Sequence, residues 1–314
     1  MEQFTKFVSS RGILRSCNIH DPSPVSGSTE VALPGLADDN YLFDTIYVCA
    51  DAILHFIEHS LPIIYRPFVL VTGDSILAIT HELCGDPRVQ PLLQSKLLFS
   101  WYAQNCAVDH PKIFKLPLGM DYHTMWQKPN TWGLGKQSPV AQEYALLKVL
   151  SGARDFQQRI FGGYCNWHFE KDRGDRVECL NEINRKLCFF EKYPLPRLTS
   201  WTRQAEFMFV ISPEGKGLDC HRTWEAIILG CIPVMKKSKI SSLFENLPII
   251  ELNDWTEYQQ GALMIQRELC MQKKYDYSSL FLNYWKAKIG LTRVPTLPKM
   301  TMNEFKHFLV NDTY

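Results

Sequence analysis

"FVISPEGKGLDCHRTWEAIILGCIPVM", residues 209–235, runs from an apolar strand through a loop with two glycines into a helical pattern and a second apolar strand. Two strands joined by a helix pair in parallel, because a parallel crossover needs a dozen or more residues and a helix supplies them. In an open parallel sheet, ligands bind beyond the carboxyl ends of the strands, where loops lead into helices. "PEGKGLD" is such a loop. Gly215 and Gly217 are expected to let the backbone approach a ligand and to take positive φ. The helix that follows offers free N–H groups and a positive dipole end, which favour a phosphate. Arg222 and Glu225 are three apart and should project from one helix face. A guanidinium can fork onto a diphosphate, and a carboxylate can accept two hydrogen bonds from a ribose diol. Together they suit a nucleoside diphosphate with an unphosphorylated ribose. The competing reading is structural: Gly-rich strand-to-helix turns recur in α/β proteins, and Arg222 with Glu225 also makes an ordinary solvated helix pair.

Outward from this stretch the same alternation recurs. "TIYVCA" (45–50), "RPFVLVTGD" (66–74), "KLLFSWYAQN" (96–105) and "PKIFKLPLG" (111–119) read as strands. "DAILHFIEHSL" (51–61) reads as a helix with Asp51 at its N-cap, and "SILAITHELC" (75–84) and "PRVQPLLQS" (87–95) carry helical patterns. Residues 120–139 hold turn residues without a period and read as a hinge. After it comes a helix from Pro139 capped by Ser138, and the alternation restarts with "RIFGGYCNWHF" (159–169) and "CFFEKY" (188–193) as strands. The fold class is therefore α/β, two Rossmann-like domains facing an interdomain cleft. The expected division is an irregular lead-in over 1–40 (one short strand at "GILRSC", 12–17) and an acceptor domain over 41–125. A hinge and first helix follow over 126–150, a nucleotide domain over 151–290, and a tail over 291–314 that packs back on the first domain.

The chain has 34 Lys+Arg against 33 Asp+Glu, so no basic field is available to capture nucleic acid or an anionic membrane. No apolar run approaches the roughly 20 residues that span a bilayer, and the first residues hold no continuous apolar h-region. Ten cysteines without a CxxC pair suit buried thiols in a reducing compartment. A cytoplasmic protein with no integral membrane segment is expected. Cys106/His110, Cys165/His168 and Cys220/His221 lack a partner pair at zinc-site spacing, and no Asp-x-Asp occurs, so no metal is expected. "WGLGKQS" (132–138) imitates a phosphate loop but has Gln137 between Lys and Ser and lacks the upstream glycine.

The 209–235 stretch resembles the C-terminal nucleotide-sugar motif of exostosin-like glycosyltransferases. The resemblance extends to "GYCNWHFEKDRGDR" (163–176) and "LPLGMDYHTM" (116–125), and spans about residues 110–255. It implies a GT-B fold and transfer of a sugar from a nucleotide donor, UDP-linked, to a glycan or glycoprotein, with inversion and without metal or other cofactor. By matching positions it implies Glu225 for the ribose, and Arg222 with the 212–217 loop (Ser212, Gly215, Lys216, Gly217) for the diphosphate. Arg176 becomes a second phosphate contact, Asn166 a neighbour of the donor pocket, and Arg173, Asp219 and His221 further members of the nucleotide-sugar site. Relatives of complex eukaryotes are usually anchored Golgi proteins, and no anchor is visible here.

An inverting transfer needs a base for the acceptor hydroxyl. The candidates are Asp74 and Asp51, at the carboxyl ends of first-domain strands, and Asp121 and His123 at the hinge. Asp51 and Asp74 also suit helix N-caps. A retaining GT-B transferase, distinguished by the product anomer, and a non-catalytic carbohydrate-binding protein of the same fold stay open as alternatives.

Overall fold

The computed structural model describes residues 1–37, 43–133 and 135–311. The expected boundary at residue 40 and the last residues of the tail lie outside the described residues. In chain order the elements are α1 (Ser10–Leu14), β1 (Ile19–His20), β2 (Asp44–Cys49), α2 (Ile53–His55), β3 (Phe68–Gly73), α3 (His81–Gly85), α4 (Gln90–Gln94), β4 (Leu98–Ala103), β5 (Ile113–Lys115) and α5 (His123–Gln127). The second half continues with α6 (Pro139–Gly152), β6 (Ile160–Cys165), α7 (Arg176–Glu182), β7 (Cys188–Phe190), α8 (Arg197–Gln204), β8 (Phe207–Ile211), α9 (His221–Ile228), β9 (Ile232–Lys236), β10 (Ile250–Leu252), α10 (Gln260–Gln272), α11 (Leu282–Ile289) and α12 (Met302–Asn311).

Two five-stranded sheets result, ordered β1-β2-β3-β4-β5 and β10-β9-β8-β6-β7, and every strand pair is parallel. The α/β expectation with two Rossmann-like sheets is met. β3 ("FVLVTG") is buried at every position, as a parallel strand covered on both faces must be. Strand residues alternate faces, so Ile46, Val48, Phe68 and Leu70 fill a core on the outer side of the first sheet. Tyr47, Val69, Val71 and Tyr102 point the other way, into a core that continues without a break to Phe209, Ile211 and Trp224 of the second half. The two halves are thus joined by shared packing as well as by the chain.

Several local expectations are corrected. "GILRSC" carries a helix, α1, instead of a strand. Ser9 Oγ accepts from the Gly12 amide at 3.0 Å, and a Cβ at Gly12 would stand 3.1 Å from a methyl of Leu282, so glycine lets α1 lie close on α11. Residues 75–79 do not join a helix. Ile79 bridges to Cys106, and the helix waits for Thr80, whose hydroxyl caps the Leu83 amide. Asp51 does not cap its helix: helical turns begin at Ala50, with Cys49 at the cap and no side-chain cap bond. Ser138 does cap α6, accepting from the Ala141 amide at 3.2 Å.

The ends of the chain meet across the junction. The Val8 amide donates to the Leu280 carbonyl and the Leu282 amide to the Lys6 carbonyl, both at 2.8 Å. The Met120 amide donates to the Val8 carbonyl at the same distance. Residues 6–9 are thereby clamped between the end of the first half and the end of the second, and α11 lies against α1 beside the first sheet. α12 packs on α6, with Phe305 stacked on Tyr277 at 3.7 Å between ring centres. All ten cysteines are unpaired.

Candidate functional site

The carboxyl ends of β3 and β4 face the loop after β8, and the residues between them are bonded across the junction. Asn105 leaves β4 with a φ of 50° and buries its amide against Gly217, where a Cβ would come within 2.8 Å of it. Its Oδ1 accepts from the Asp219 amide at 3.1 Å. Asp219 Oδ2 accepts from the Leu118 amide at 2.8 Å, and Trp224 Nε1 donates to both oxygens of that carboxylate. Burial pushes the Asp219 carboxyl up to about 6, against these bonds. Gly217 and Asp219 therefore join the two halves, and neither Gly215 nor Gly217 has a positive φ. Ser212 is likewise internal, its hydroxyl bonded to that of Thr223 at 2.7 Å.

Two guanidiniums flank this loop. Arg222 reaches back from the first turn of α9 and donates from Nη2 to the Pro213 carbonyl at 2.9 Å, while its Nε is buried without an acceptor. Arg176, at the start of α7, donates from Nη1 to the carbonyls of Trp167 (3.1 Å) and Glu170 (2.9 Å), and from Nε to that of Glu214 (3.3 Å). Its Nη2 lies 3.6 Å from where a Cβ on Gly215 would stand, so glycine leaves this corner open. Burial and the neighbouring Arg222 bring Arg176 down to about 10, the mark of two cations sharing one poorly solvated corner. Among the described residues no carboxylate pairs with Arg222, and Arg176 meets only Glu170, at 3.9 Å. Two cations short of counter-charge, Arg176 buried and Arg222 half-buried, thus stand beside the N-terminus of α9, an arrangement that favours an anion. Lys216, on the same loop, is exposed. Arg173 turns outward to Glu170, and Asn166 donates to Ser200 Oγ at 2.8 Å.

Glu225 parts company with Arg222. It is only 8% exposed, not solvent-facing, and its nearest cation is Arg197 Nη2 at 3.9 Å. Among the described residues no donor bonds its carboxylate, which leaves acceptor capacity unused. Arg197 was not legible as a site residue, since "RLTSW" reads only as a helix start. It lies over the Trp132 ring at 4.2 Å, donates from Nη1 to the Asp121 carbonyl and to Gln142 Oε1, and sits 3.7 Å from Asp121 Oδ2.

Of the four base candidates, the structure separates Asp74 from the others. Its Oδ2 lies 2.7 Å from Arg11 Nη2 with both side chains almost fully covered, and Ser26 Oγ donates to Oδ1 at 2.8 Å. The lead-in segment covers these strand ends, with the Gly27 amide bonded to the Asp74 carbonyl. Asp74 is thus an ion-pair partner of Arg11, with little of its carboxylate left for an acceptor hydroxyl. Asp51 is half-buried and takes a long contact from the Cys49 thiol, 3.7 Å. Asp121 is buried and accepts from the amide and hydroxyl of Thr124 at 3.0 and 2.8 Å. Burial opposes its ionisation, but His123, His221 and Arg197 hold its carboxyl well below the usual carboxylate range. His123 Nδ1 sits 3.1 Å from Asp121 Oδ1, and the ring remains 18% exposed. A carboxylate on Nδ1 leaves Nε2 as the free lone pair, the arrangement of an oriented general base. His221 is fixed in the same way by the Gly119 carbonyl, 2.7 Å from its Nδ1.

Glu214, in the loop after β8, has its carboxyl pushed up to about 7 by burial and by the nearby Asp175. Its folded value lies above the ordinary 4.5, so between these pH values the unfolded chain has released a proton that the folded one keeps. Stability is therefore lost as pH rises through that window. Glu214→Gln should flatten the fall in melting temperature between pH 4.5 and 7; an unchanged fall counts against this assignment.

Among the described residues, Glu178, Glu182 and Asp254 form the one acidic group close enough to share a cation, and Glu178 already contacts Lys236. No helix of the described residues is long and apolar enough to cross a membrane.

No protein-family model matches the chain, and no curated protein matches it. Among solved structures it is similar to the crystal structure of an alpha1,3-fucosyltransferase, at 12% identity over 86% of this chain and 94% of that one, with a TM-score of 0.34. A likeness that distant carries no argument about activity, and the exostosin resemblance rests on the sequence motifs alone.

Proposed function

We propose that the protein is a glycosyltransferase that binds a nucleotide sugar, UDP-linked, at the loop after β8 and transfers its sugar to a glycan with inversion. One observation carries the reading: Arg176 and Arg222 converge at the N-terminus of α9, short of counter-charge, with Arg222 Nε buried and unpartnered. A diphosphate satisfies both cations and the helix end without a metal ion. Glu225, with unused acceptor capacity, takes the ribose hydroxyls.

In the reaction His123 Nε2 takes the proton of the acceptor hydroxyl, and the oxygen attacks the anomeric carbon. The bond from that carbon to the diphosphate breaks, and Arg176, Arg222 and the α9 amides hold the departing charge. Asp121 stabilises the imidazolium that forms. A single oriented base suits inversion.

Calorimetry with UDP, GDP, ADP and the matching nucleosides tests the donor site. A nucleoside diphosphate should bind, and Arg222→Ala should weaken it tenfold or more, since a charge-assisted hydrogen bond contributes about 1.5–3 kcal/mol. Nucleoside binding should change little. Failure of all three diphosphates to bind, or equal loss for nucleoside and diphosphate, would refute the assignment.

A further inference from the structure

A separate cavity of about 440 Å³ opens between the two halves, away from the arginine corner. Its walls are the edge strand β5 with Tyr102 of β4, the segment around Asn246 after β9, and the face of α11 that carries Tyr284 and Trp285. Cavities at such junctions, with an apolar floor and a few converging polar groups, are the usual place for a small ligand.

The chemistry of the walls narrows the ligand. Phe114 is 45% exposed and backed by Tyr102, the rings stacked with centres 5.4 Å apart, so it offers a firm flat face. The face of an aromatic ring is negative and attracts the polarised C–H bonds of a sugar's apolar side. Around it stand both acceptors and donors, as hydroxyls require, because each hydroxyl donates and accepts. Asp276 uses one oxygen on the Ser278 amide at 2.9 Å and keeps the other, and Asn246 contributes an amide. The charges balance locally. Lys115 pairs with Asp109 at 2.9 Å, and Lys288, which lies over the Tyr284 and Trp285 rings at 5.2 and 5.3 Å, lines the cavity together with Asp276. A wall without net charge does not select a phosphate or a uronic acid, and one this polar does not select a lipid.

We infer that this cavity is a binding site for a neutral oligosaccharide, with room for about two sugar rings. β5 runs directly into residues 116–123, which carry Gly119, Asp121 and His123. On the proposed reading, the cavity holds the non-reacting sugars of the acceptor and its terminal hydroxyl extends toward His123. This role rests on the proposed transferase reading; the saccharide site itself does not.

The test uses the full chain on a printed array of neutral glycans, followed by calorimetry with the best binder, beside calorimetry with UDP. Phe114→Ala and Asp276→Asn are the variants. Phe99→Ala, 63% exposed on neighbouring β4 and outside the cavity, is the control. Expected is capture of at least one glycan, weakened about tenfold by either cavity variant and unchanged by the control, with melting temperature and UDP affinity preserved. Capture of no glycan, or capture indifferent to both cavity variants, overturns the inference even if UDP binds. Glycan capture that depends on Phe114 without nucleotide binding leaves the cavity site standing and sinks the transferase reading.

Discussion

His123→Gln is expected to lower kcat by about 10²–10⁴-fold, the range a positioned general base supplies. Glutamine keeps the approximate size and polarity but cannot take a proton, so donor affinity by calorimetry should stay near that of the parent. Asp121→Asn should reduce kcat as well, because a neutral amide neither holds the imidazole in the productive tautomer nor stabilises its charged form. That variant is the less clean test. Asp121 also binds Thr124 and lies beside Arg197, so part of its effect will be lost structure. A His123→Gln enzyme with unchanged kcat removes the dyad from the mechanism and shifts the base to His221, whose ring is oriented alike, or to Asp51.

Asp74→Ala is expected to act on stability instead. The substitution leaves the Arg11 guanidinium buried without its carboxylate, and breaking a buried pair from one side costs about 3–5 kcal/mol. The melting temperature should fall by roughly 10 °C. Replacing both partners, Arg11→Met with Asp74→Asn, should recover much of the loss, because no uncompensated charge remains and asparagine tolerates the φ of 56° at this position. A variant that melts like the parent yet has lost its kcat would restore Asp74 as the base.

The contrast between these two residues shows where reading by pattern stops. Asp74 ends an apolar strand and precedes a helical pattern, the position from which many catalytic carboxylates work. The sequence has no local signal that Arg11, sixty-three residues earlier, folds under it, or that residues 24–28 cover it. A period of two or of 3.6 records which face of an element is apolar, not which distant segment lands on it. The same holds for Arg197. It carries no motif, yet it lies between Asp121 and Glu225 because α8 is brought against residues 121–142 by packing.

Glycine was only half legible. The sequence suggests room for a ligand at Gly215 and Gly217, and Gly215 does leave the corner beside Arg176 open. Gly217 is required for a different reason, to admit the Asn105 side chain from the other sheet. Both uses look alike in one dimension, since all that a sequence records is the missing Cβ.

The sequence by itself determined the α/β class, the restart of the alternation after the hinge, the cap of α6 by Ser138 and the parallel unit at 209–235. These follow from interactions among residues a few places apart: hydrophobic period, turn chemistry and capping. Only the tertiary structure decided that Arg176 and Arg222 share one corner, that Asp121 pairs with His123 while Asp74 pairs with Arg11, and that a polar cavity with an aromatic wall lies between the halves. Apart from the Asp121–His123 pair, whose members are two residues apart, these depend on contacts between segments tens to more than a hundred residues apart, which are fixed by the packing of one continuous core and by no local preference of the chain.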